Sequence, residues 1–451
     1  YFIKYDRKEN PEIKETEIKG VASVEVITDS AVKDPHALRK ENKDSIKYAL
    51  YQLLVKLTGR TLPWGNLTGI RPAKLAMGMI ESGMKNTEAA QEMREKYLVS
   101  PQKTALAITI ANREREILKD IDYENGYSLY IGIPFCPSIC LYCSFSSYPL
   151  KVWEKRSDEY VEALCKEVRE TALMMKGRKL DTIYIGGGTP TTLLPHQIRK
   201  LLDTVGEAFG YEGLAEFTVE AGRPDSITRE KLMAIREYPV TRISVNPQTM
   251  NQETLDIIGR RHTVDETKQA FALARECGFD NINMDLIVGL PGESYDDVEH
   301  TMKELEAMAP DSVTVHSLAI KRAARLSLFK DKYEEMGLEN NMQIMDMTAR
   351  YCAEMGLSPY YLYRQKNMAG NFENVGYAQP EKAGIYNILI MEEKQTIVAC
   401  GAGASTKRVW NEQNPDGSYR IERCENIKDV ALYIEKIDEM IQRKEELFAE
   451  E

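Results

Sequence analysis

What this sequence lacks narrows its reading before any motif is considered. Its 451 residues hold only five histidines, three tryptophans and eight cysteines. Eight cysteines are too sparse for a disulfide scaffold in a chain this long. No stretch approaches the roughly 20 apolar residues of a membrane-spanning helix. The longest runs, such as Ile282 to Leu290, are short, and that one is broken by Asp285. No secretory leader pattern is present, so a soluble, cytoplasmic protein is expected. Lys and Arg number 59 against 70 Asp and Glu, a net charge of -11. That balance argues against a broad basic face, and nucleic acid is not expected as a partner. No repeat period is found.

What is present points to an enzyme-sized α/β core. With 43% of its residues hydrophobic, the chain can bury a large core and a second, smaller domain. From Ser128 onward short β-rich runs alternate with longer amphipathic stretches, the pattern of a parallel sheet covered by helices. Strands are expected at Ser128 to Ile133, Thr182 to Ile185, Glu216 to Glu220, Arg242 to Asn246, Asn281 to Val288 and Ser312 to Ser317. Helical periodicity fills the gaps, at Ser157 to Lys176, Pro195 to Gly210, Thr228 to Tyr238, Thr263 to Gly278 and Tyr295 to Met308. Six consecutive units predict an open, partial (β/α)6 barrel, with its reactive groups on loops at the C-terminal ends of the strands. Three regions are expected: an N-terminal α/β lobe over 1–125, the partial barrel over 126–330, and a C-terminal extension over 331–451 covering the barrel's open side. The lobe combines a strand-prone start with helices at Asp44 to Leu57 and Thr87 to Glu95.

Three cysteines crowd into eight residues directly after the first strand, as Cys136-x3-Cys140-x2-Cys143. The others, Cys165, Cys277, Cys352, Cys400 and Cys424, are scattered and read as buried thiols. Iron-sulfur cubanes are usually held by four thiolates, so a triad binds three irons and leaves the fourth open, where a substrate can chelate. A structural zinc knuckle is the competing reading. It needs a fourth cysteine or histidine, and none of His36, His196, His262, His300 or His316 lies near in the sequence.

Further candidates follow successive strands. In Gly186-Gly187-Gly188-Thr189-Pro190 the glycines let the backbone approach a ligand closely. A plain tight turn or a phosphate loop would look similar, although the Lys-Ser/Thr ending of a P-loop is missing. Glu220 ends the third strand, Gln248 follows the fourth, Arg260 comes twelve residues later, and Asp285 interrupts the fifth. A carboxylate inside a strand is costly without a partner. Asp285 therefore either faces the barrel centre with a polar partner or forms a structural pair with an arginine. Together these residues offer carboxylate acceptors, an amide and a cation, which suit a cofactor bearing a ribose diol, an amine and a carboxylate.

In this arrangement the chain resembles the radical S-adenosylmethionine superfamily, and within it the oxygen-independent coproporphyrinogen III oxidase group. Tyr130 to Cys136, the cysteine loop with Tyr142, Gly186 to Thr191, Thr218 to Ala221, Gln248, Met284 to Pro291 and Gly401 to Ser405 carry the likeness in order. It covers Tyr127 to Ser405. The segment Trp64 to Pro72 and the pair Ser144-Phe145 look most like the HemZ-type branch. The resemblance implies a 4Fe-4S cluster on Cys136, Cys140 and Cys143. It also implies an S-adenosylmethionine site lined by Tyr130, Tyr142, Gly187, Gly188, Thr189, Glu220, Gln248, Arg260 and Asp285. One position departs: the oxidases carry a further cysteine where Phe145 stands here, and the heme-chaperone relatives lack that cysteine as well.

The implied activity is oxidative decarboxylation of coproporphyrinogen III propionates to vinyl groups, giving protoporphyrinogen IX, with an electron donor such as flavodoxin or ferredoxin. A four-carboxylate tetrapyrrole substrate needs cations. Lys321, Arg322 and Arg325 after the sixth strand are one candidate set, Arg71 and Lys74 a second, Arg364 and Lys366 a third, and each is otherwise a solvated surface charge. Two other activities stay open. One is a heme chaperone of the same family, although the chaperones' His-Asn-x-x-Tyr-Trp segment reads Tyr386-Asn387-Ile388-Leu389-Ile390-Met391 here. In such a role Met391 or His316 could ligate iron. The other is a radical enzyme that methylates or opens a tetrapyrrole.

Overall fold

The computed structural model describes residues 2–10, 15–23, 35–68, 71–321, 324–328, 336–365, 368–413 and 419–449. Arg322, Lys366, Gly69 and Ile70, all named above, lie outside them. The chain divides into two compact units, 1–109 and 110–451. In the first, β1 (Phe2–Asn10) pairs antiparallel with β2 (Glu15–Ser23), followed by α1 (Pro35–Thr58), α2 (Pro72–Glu81) and α3 (Asn86–Glu95). α4 (Pro101–Ile117) spans the boundary between the units in sequence.

In the second unit the six expected strands form as β3 (Gly126–Ile133), β4 (Lys179–Gly187), β5 (Glu216–Glu220), β6 (Arg242–Ser244), β7 (Ile282–Val288) and β8 (Ser312–Ser317). Each pairs parallel with the next. The intervening helices are α5 (Ser157–Met174), α6 (Pro195–Phe209), α7 (Arg229–Arg236), α8 (Val264–Glu276) and α9 (Tyr295–Met308). Their ends follow local chemistry. The Thr263 hydroxyl accepts from the Glu266 backbone N–H at 3.1 Å while the Glu266 carboxylate accepts from the Thr263 N–H at 2.7 Å, a reciprocal cap that starts α8. Gly278, at φ +87°, stops it in the left-handed region that suits glycine.

Parallel strands covered on both faces read as nearly continuous apolar runs, and β7 shows why the exceptions matter. Met284, Leu286 and Val288 are buried on its outer face. Asn283 and Asp285, on the alternate positions, face the inner cavity. Full burial of each outer aliphatic side chain stabilises the fold by roughly 1.5–3 kcal/mol.

The sheet does not end with the six units. β11 (Thr396–Cys400) pairs parallel with β3, while on the other side β10 (Asn374–Ala378) pairs antiparallel with β8 and β9 (Ser358–Tyr363) antiparallel with β10. With β12 (Ser405–Gln413) and β13 (Tyr419–Glu425) the order is β9-β10-β8-β7-β6-β5-β4-β3-β11-β12-β13. The open, partial barrel is thus the expected one, and strands of the segment after 331 belong to its own sheet. Between β10 and β11 runs α11 (Ile385–Glu392), preceded by α10 (Met342–Glu354) and followed after β13 by α12 (Val430–Glu435) and α13 (Ile437–Ala449). No helix among the described residues is long and apolar enough to cross a membrane.

α13 is fastened to α5 by a buried ion pair. The Lys444 ammonium donates to the Glu167 carboxylate at 2.8 Å, and both side chains are fully buried. The same carboxylate accepts from Asn426 (2.7 Å), the Tyr433 hydroxyl (2.6 Å) and the Gly401 backbone N–H (2.8 Å). Glu167→Ala would leave the ammonium buried without its anion. We expect it to destabilise the fold by about 3–5 kcal/mol in urea unfolding, with Glu167→Gln combined with Lys444→Met losing less, because the amide oxygen still accepts from the neighbouring donors.

Candidate active site

At the C-terminal ends of the parallel strands lies a cavity of about 410 Å³. Its wall brings together Cys136, Cys140, Cys143, Tyr142, Gly187, Gly188, Thr189, Glu220, Gln248, Arg260, Asp285 and Lys321, residues far apart in sequence. Tyr130 is not in the wall. It stands behind Gly187, its hydroxyl 3.3 Å from where a Cβ on that glycine would be, and its ring stacks on Tyr184 and Tyr386. Arg325 is exposed on a short helical turn and also lies outside the wall. Lys321 alone of the first substrate-binding set, among the described residues, reaches the cavity.

The cysteine loop is held from several sides. The Leu141 N–H donates to the Ile258 carbonyl and the Leu326 N–H to the Leu141 carbonyl, both at 2.9 Å. All three cysteines are free; Cys140 is buried, Cys136 and Cys143 half-buried. The Thr189 hydroxyl donates to Cys136 Sγ at 3.5 Å, and the Arg223 guanidinium to Cys140 Sγ at 3.6 Å. Arg223, 4% exposed, also grips Asp225 through two bonds of 2.9 and 2.7 Å and Ser138 through two of 3.1 Å. Sequence reasoning gave Arg223 no role. Of the five scattered cysteines, Cys424 is half-buried and the other four are buried.

Three free thiols on one loop share the cavity wall, and a cubane takes each thiolate on a different iron, so the donor set fits a cluster.

The glycine run serves chain packing. A Cβ on Gly188 would lie 2.6 Å from the Phe135 carbonyl oxygen, and one on Gly186 3.0 Å from the Glu220 carboxylate. Only glycine lets β4 end this close to the cysteine loop. The Gly188 and Thr189 N–H groups then donate to the Ile133 and Phe135 carbonyls, both at 2.7 Å.

The two acids have opposite electrostatics. Burial pushes Glu220 up to about 7, against the pull of the Tyr184 hydroxyl that donates to it. Burial also raises Asp285, but His316, 3.7 Å away, and the Asn283 side chain outweigh it and hold Asp285 below its ordinary value. Asn246 and Asn283 donate to the Asp285 carboxylate at 2.8 and 2.7 Å. Of the two readings of Asp285, the polar partner is the one found; no arginine pairs with it among the described residues. Gln248 adopts φ +66°, rare for a residue with a side chain, held there by backbone bonds of 2.9 Å to Asp285 and Ile287. Arg260 donates to the Gly222 carbonyl at 3.0 Å, to the Asn246 carbonyl and to the Tyr142 hydroxyl at 3.4 Å, tying three loops together.

The wall also holds residues the sequence reading passed over, among them Tyr184, Arg242, Ser244, Asn246, Asn283 and Tyr361. Polar residues at every second position of a strand buried on both sides, as in Arg242-Ile243-Ser244-Val245-Asn246, were the available signal.

Between its ordinary value of 4.5 and about 7, Glu220 binds a proton in the folded chain but not in the unfolded one. Stability therefore falls as pH rises through that interval. Without cofactors, Glu220→Gln should melt a few degrees above the parent chain at pH 8, with the difference shrinking toward pH 5. Circular-dichroism melts at both pH values check this.

Comparison with known proteins gives the family of this chain. Residues 130–305 match the family model of the Radical SAM superfamily. The chain is 41% identical over 417 residues to the oxygen-independent coproporphyrinogen-III oxidase-like protein HemZ of Bacillus subtilis (strain 168), covering 91% of this chain and 82% of that protein. It is 39% identical over 195 residues to the heme chaperone HemW of the same organism, covering 43% of this chain and 51% of that one. The solved structure of coproporphyrinogen III oxidase (HemN) from Escherichia coli, a radical SAM enzyme, shares the fold with a TM-score of 0.56 at 22% identity over 70% of each chain. This chain belongs to the radical SAM superfamily, in the group of HemN, HemZ and HemW, whose cofactors are a 4Fe-4S cluster and S-adenosylmethionine.

Proposed function

We propose that this protein carries out oxygen-independent oxidative decarboxylation of coproporphyrinogen III to protoporphyrinogen IX, converting two propionates to vinyl groups, each with loss of one hydrogen atom to a 5′-deoxyadenosyl radical, of carbon dioxide and of one electron to an external acceptor. The observation that carries the reading is one cavity wall shared by three free cysteines and two half-buried acids of opposite protonation tendency. In this reading Cys136, Cys140 and Cys143 ligate the cluster. When bound, the cluster and S-adenosylmethionine supply a 5′-deoxyadenosyl radical, which abstracts unactivated hydrogens.

The chain's own residues then have separate tasks. Thr189 and Arg223 donate hydrogen bonds to two of the sulfurs, which favours thiolate and tunes a cluster's potential. Asp285, kept ionised by its amide and imidazole neighbours, accepts from the cofactor's hydroxyl or amine groups, and Gln248 adds an amide. Arg260 presents a fixed cation to the cofactor's carboxylate. Lys321, at the cavity wall near the exposed Phe145 ring (5.9 Å), meets a substrate carboxylate. The electron enters from a donor of the flavodoxin or ferredoxin type.

A heme-holding role is favoured by one observation: His316 and Met391 both line the cavity. Against it, Tyr386 occupies the chaperones' histidine position and its ring stacks on Tyr184 with centroids 4.5 Å apart.

Anaerobically reconstituted protein incubated with coproporphyrinogen III, reductant and S-adenosylmethionine should release a product lacking two carboxyl groups. Tight, stoichiometric heme without turnover would replace this reading with the chaperone one. Cys143→Ala should lose bound iron and sulfide and form no 5′-deoxyadenosine, as read by metal analysis and chromatography. Lys321→Ala should keep the cluster and raise KM several-fold; an unchanged KM would remove Lys321 from the substrate site.

A further inference from the structure

Below the level of the two acids the cavity ends on a cation with no carboxylate in ion-pair contact; Glu216 and Glu220 act on it only at longer range. Arg242 opens β6, is 2% exposed and lines the cavity. Its Nη2 donates to Ser312 Oγ at 3.3 Å, and its Nε has no hydrogen-bond partner. No carboxylate stands within 4.0 Å of it among the described residues. Glu216 is already engaged by the Thr218 hydroxyl at 2.6 Å and the Tyr386 backbone N–H at 3.1 Å. The Tyr184 hydroxyl donates to Glu220. Two residues along β6, on the same inward face, Ser244 is 3% exposed and its hydroxyl also lacks a partner.

Strand register fixes the depth. Arg242 pairs with Thr218 and Ser244 with Glu220, so Arg242 lies two residues, roughly 7 Å, nearer the N-terminal ends of the strands than Glu220. A buried cation with no ion pair is among the most costly groups a protein interior can hold. A cavity that keeps one, with a free hydroxyl beside it, is arranged for an anion brought by a ligand.

We propose that Arg242 and Ser244 form an anchor that receives one carboxylate of the organic substrate. The assignment rests on the tetrapyrrole reading above and deepens it: one acidic arm enters the barrel while the ring stays nearer the cysteine loop. The methylene bridges of a porphyrinogen are saturated, so the ring can fold enough to lower an arm. Substrates are then selected by a free acid on that arm, and an ester is refused because it leaves the guanidinium unpaired.

The test measures binding of coproporphyrinogen III, kept reduced under anaerobic ultrafiltration, to the cluster-loaded parent protein, to Arg242→Met and to Arg242→Lys. Arg242→Met should weaken binding about 30-fold or more, with Arg242→Lys in between. The tetramethyl ester should bind the parent weakly and be indifferent to the substitution. Affinity for S-adenosylmethionine should not change, and the ligand-free Arg242→Met protein should melt no lower than the parent. Equal porphyrinogen affinity in Arg242→Met would overturn the anchor and leave the proposed activity standing. Loss of S-adenosylmethionine affinity instead would reassign the carboxylate to the cofactor. A lowered melting temperature with unchanged binding would make Arg242 structural. A parent protein that binds no porphyrinogen would sink the activity and the anchor together.

Discussion

Polar side chains on the inner faces of parallel strands have no solvent side to turn to, and the arrangement of this molecule follows from how each is satisfied. Asp285 is fixed by two asparagine amides and an imidazole, one from its own strand and the others from neighbouring strands. Glu220 is met by Tyr184 from the adjacent strand. Because each partner sits on a different strand, the register of the sheet sets the geometry of the cavity. A shift of one residue in any strand would turn these groups toward the apolar helices.

The same logic reaches the cysteine loop. It is short and carries little apolar surface of its own, so its shape comes from what it is pinned against. Arg223 joins it to the end of β5, Gly186 to Gly188 let β4 pass close beneath it, and Leu141 exchanges backbone bonds with two later segments. The C-terminal part contributes as directly: β11 lies beside β3, the Ala402 N–H donates at 3.2 Å to the Tyr160 hydroxyl that itself donates to the Gly132 carbonyl at 2.6 Å, and Tyr148 reaches the Lys428 carbonyl at 3.2 Å. The cysteine loop is thus set between the barrel proper and the strand that widens it.

Much of this was legible beforehand. Glu216–Glu220, Ser312–Ser317 and Tyr295–Met308 form with the bounds their patterns gave, because alternation, length and capping residues agree there. The cysteine spacing, the glycine run and the acids ending or interrupting strands led to residues that meet in one cavity. Other parts were not legible. β11 carries five buried residues that give no sign of which neighbour they join. Tyr130 matches a motif yet stands one layer behind the wall, and Arg325, grouped with Lys321 by proximity in sequence, is exposed.

The amino-acid order by itself determined the class of fold, the loop that carries three thiols and the strand ends that carry acids, since these depend on periodicity and on spacing within a few residues. Only the tertiary structure decided which polar groups have partners. Glu220 and Asp285 look alike in sequence, yet one is pushed toward holding its proton and the other toward losing it. Arg242 looks like any strand-edge arginine until its surroundings are seen to hold no acid in ion-pair contact among the described residues. The reason is physical: the energy of a buried charge is set by groups a few ångströms away in space, contributed by strands tens of residues apart.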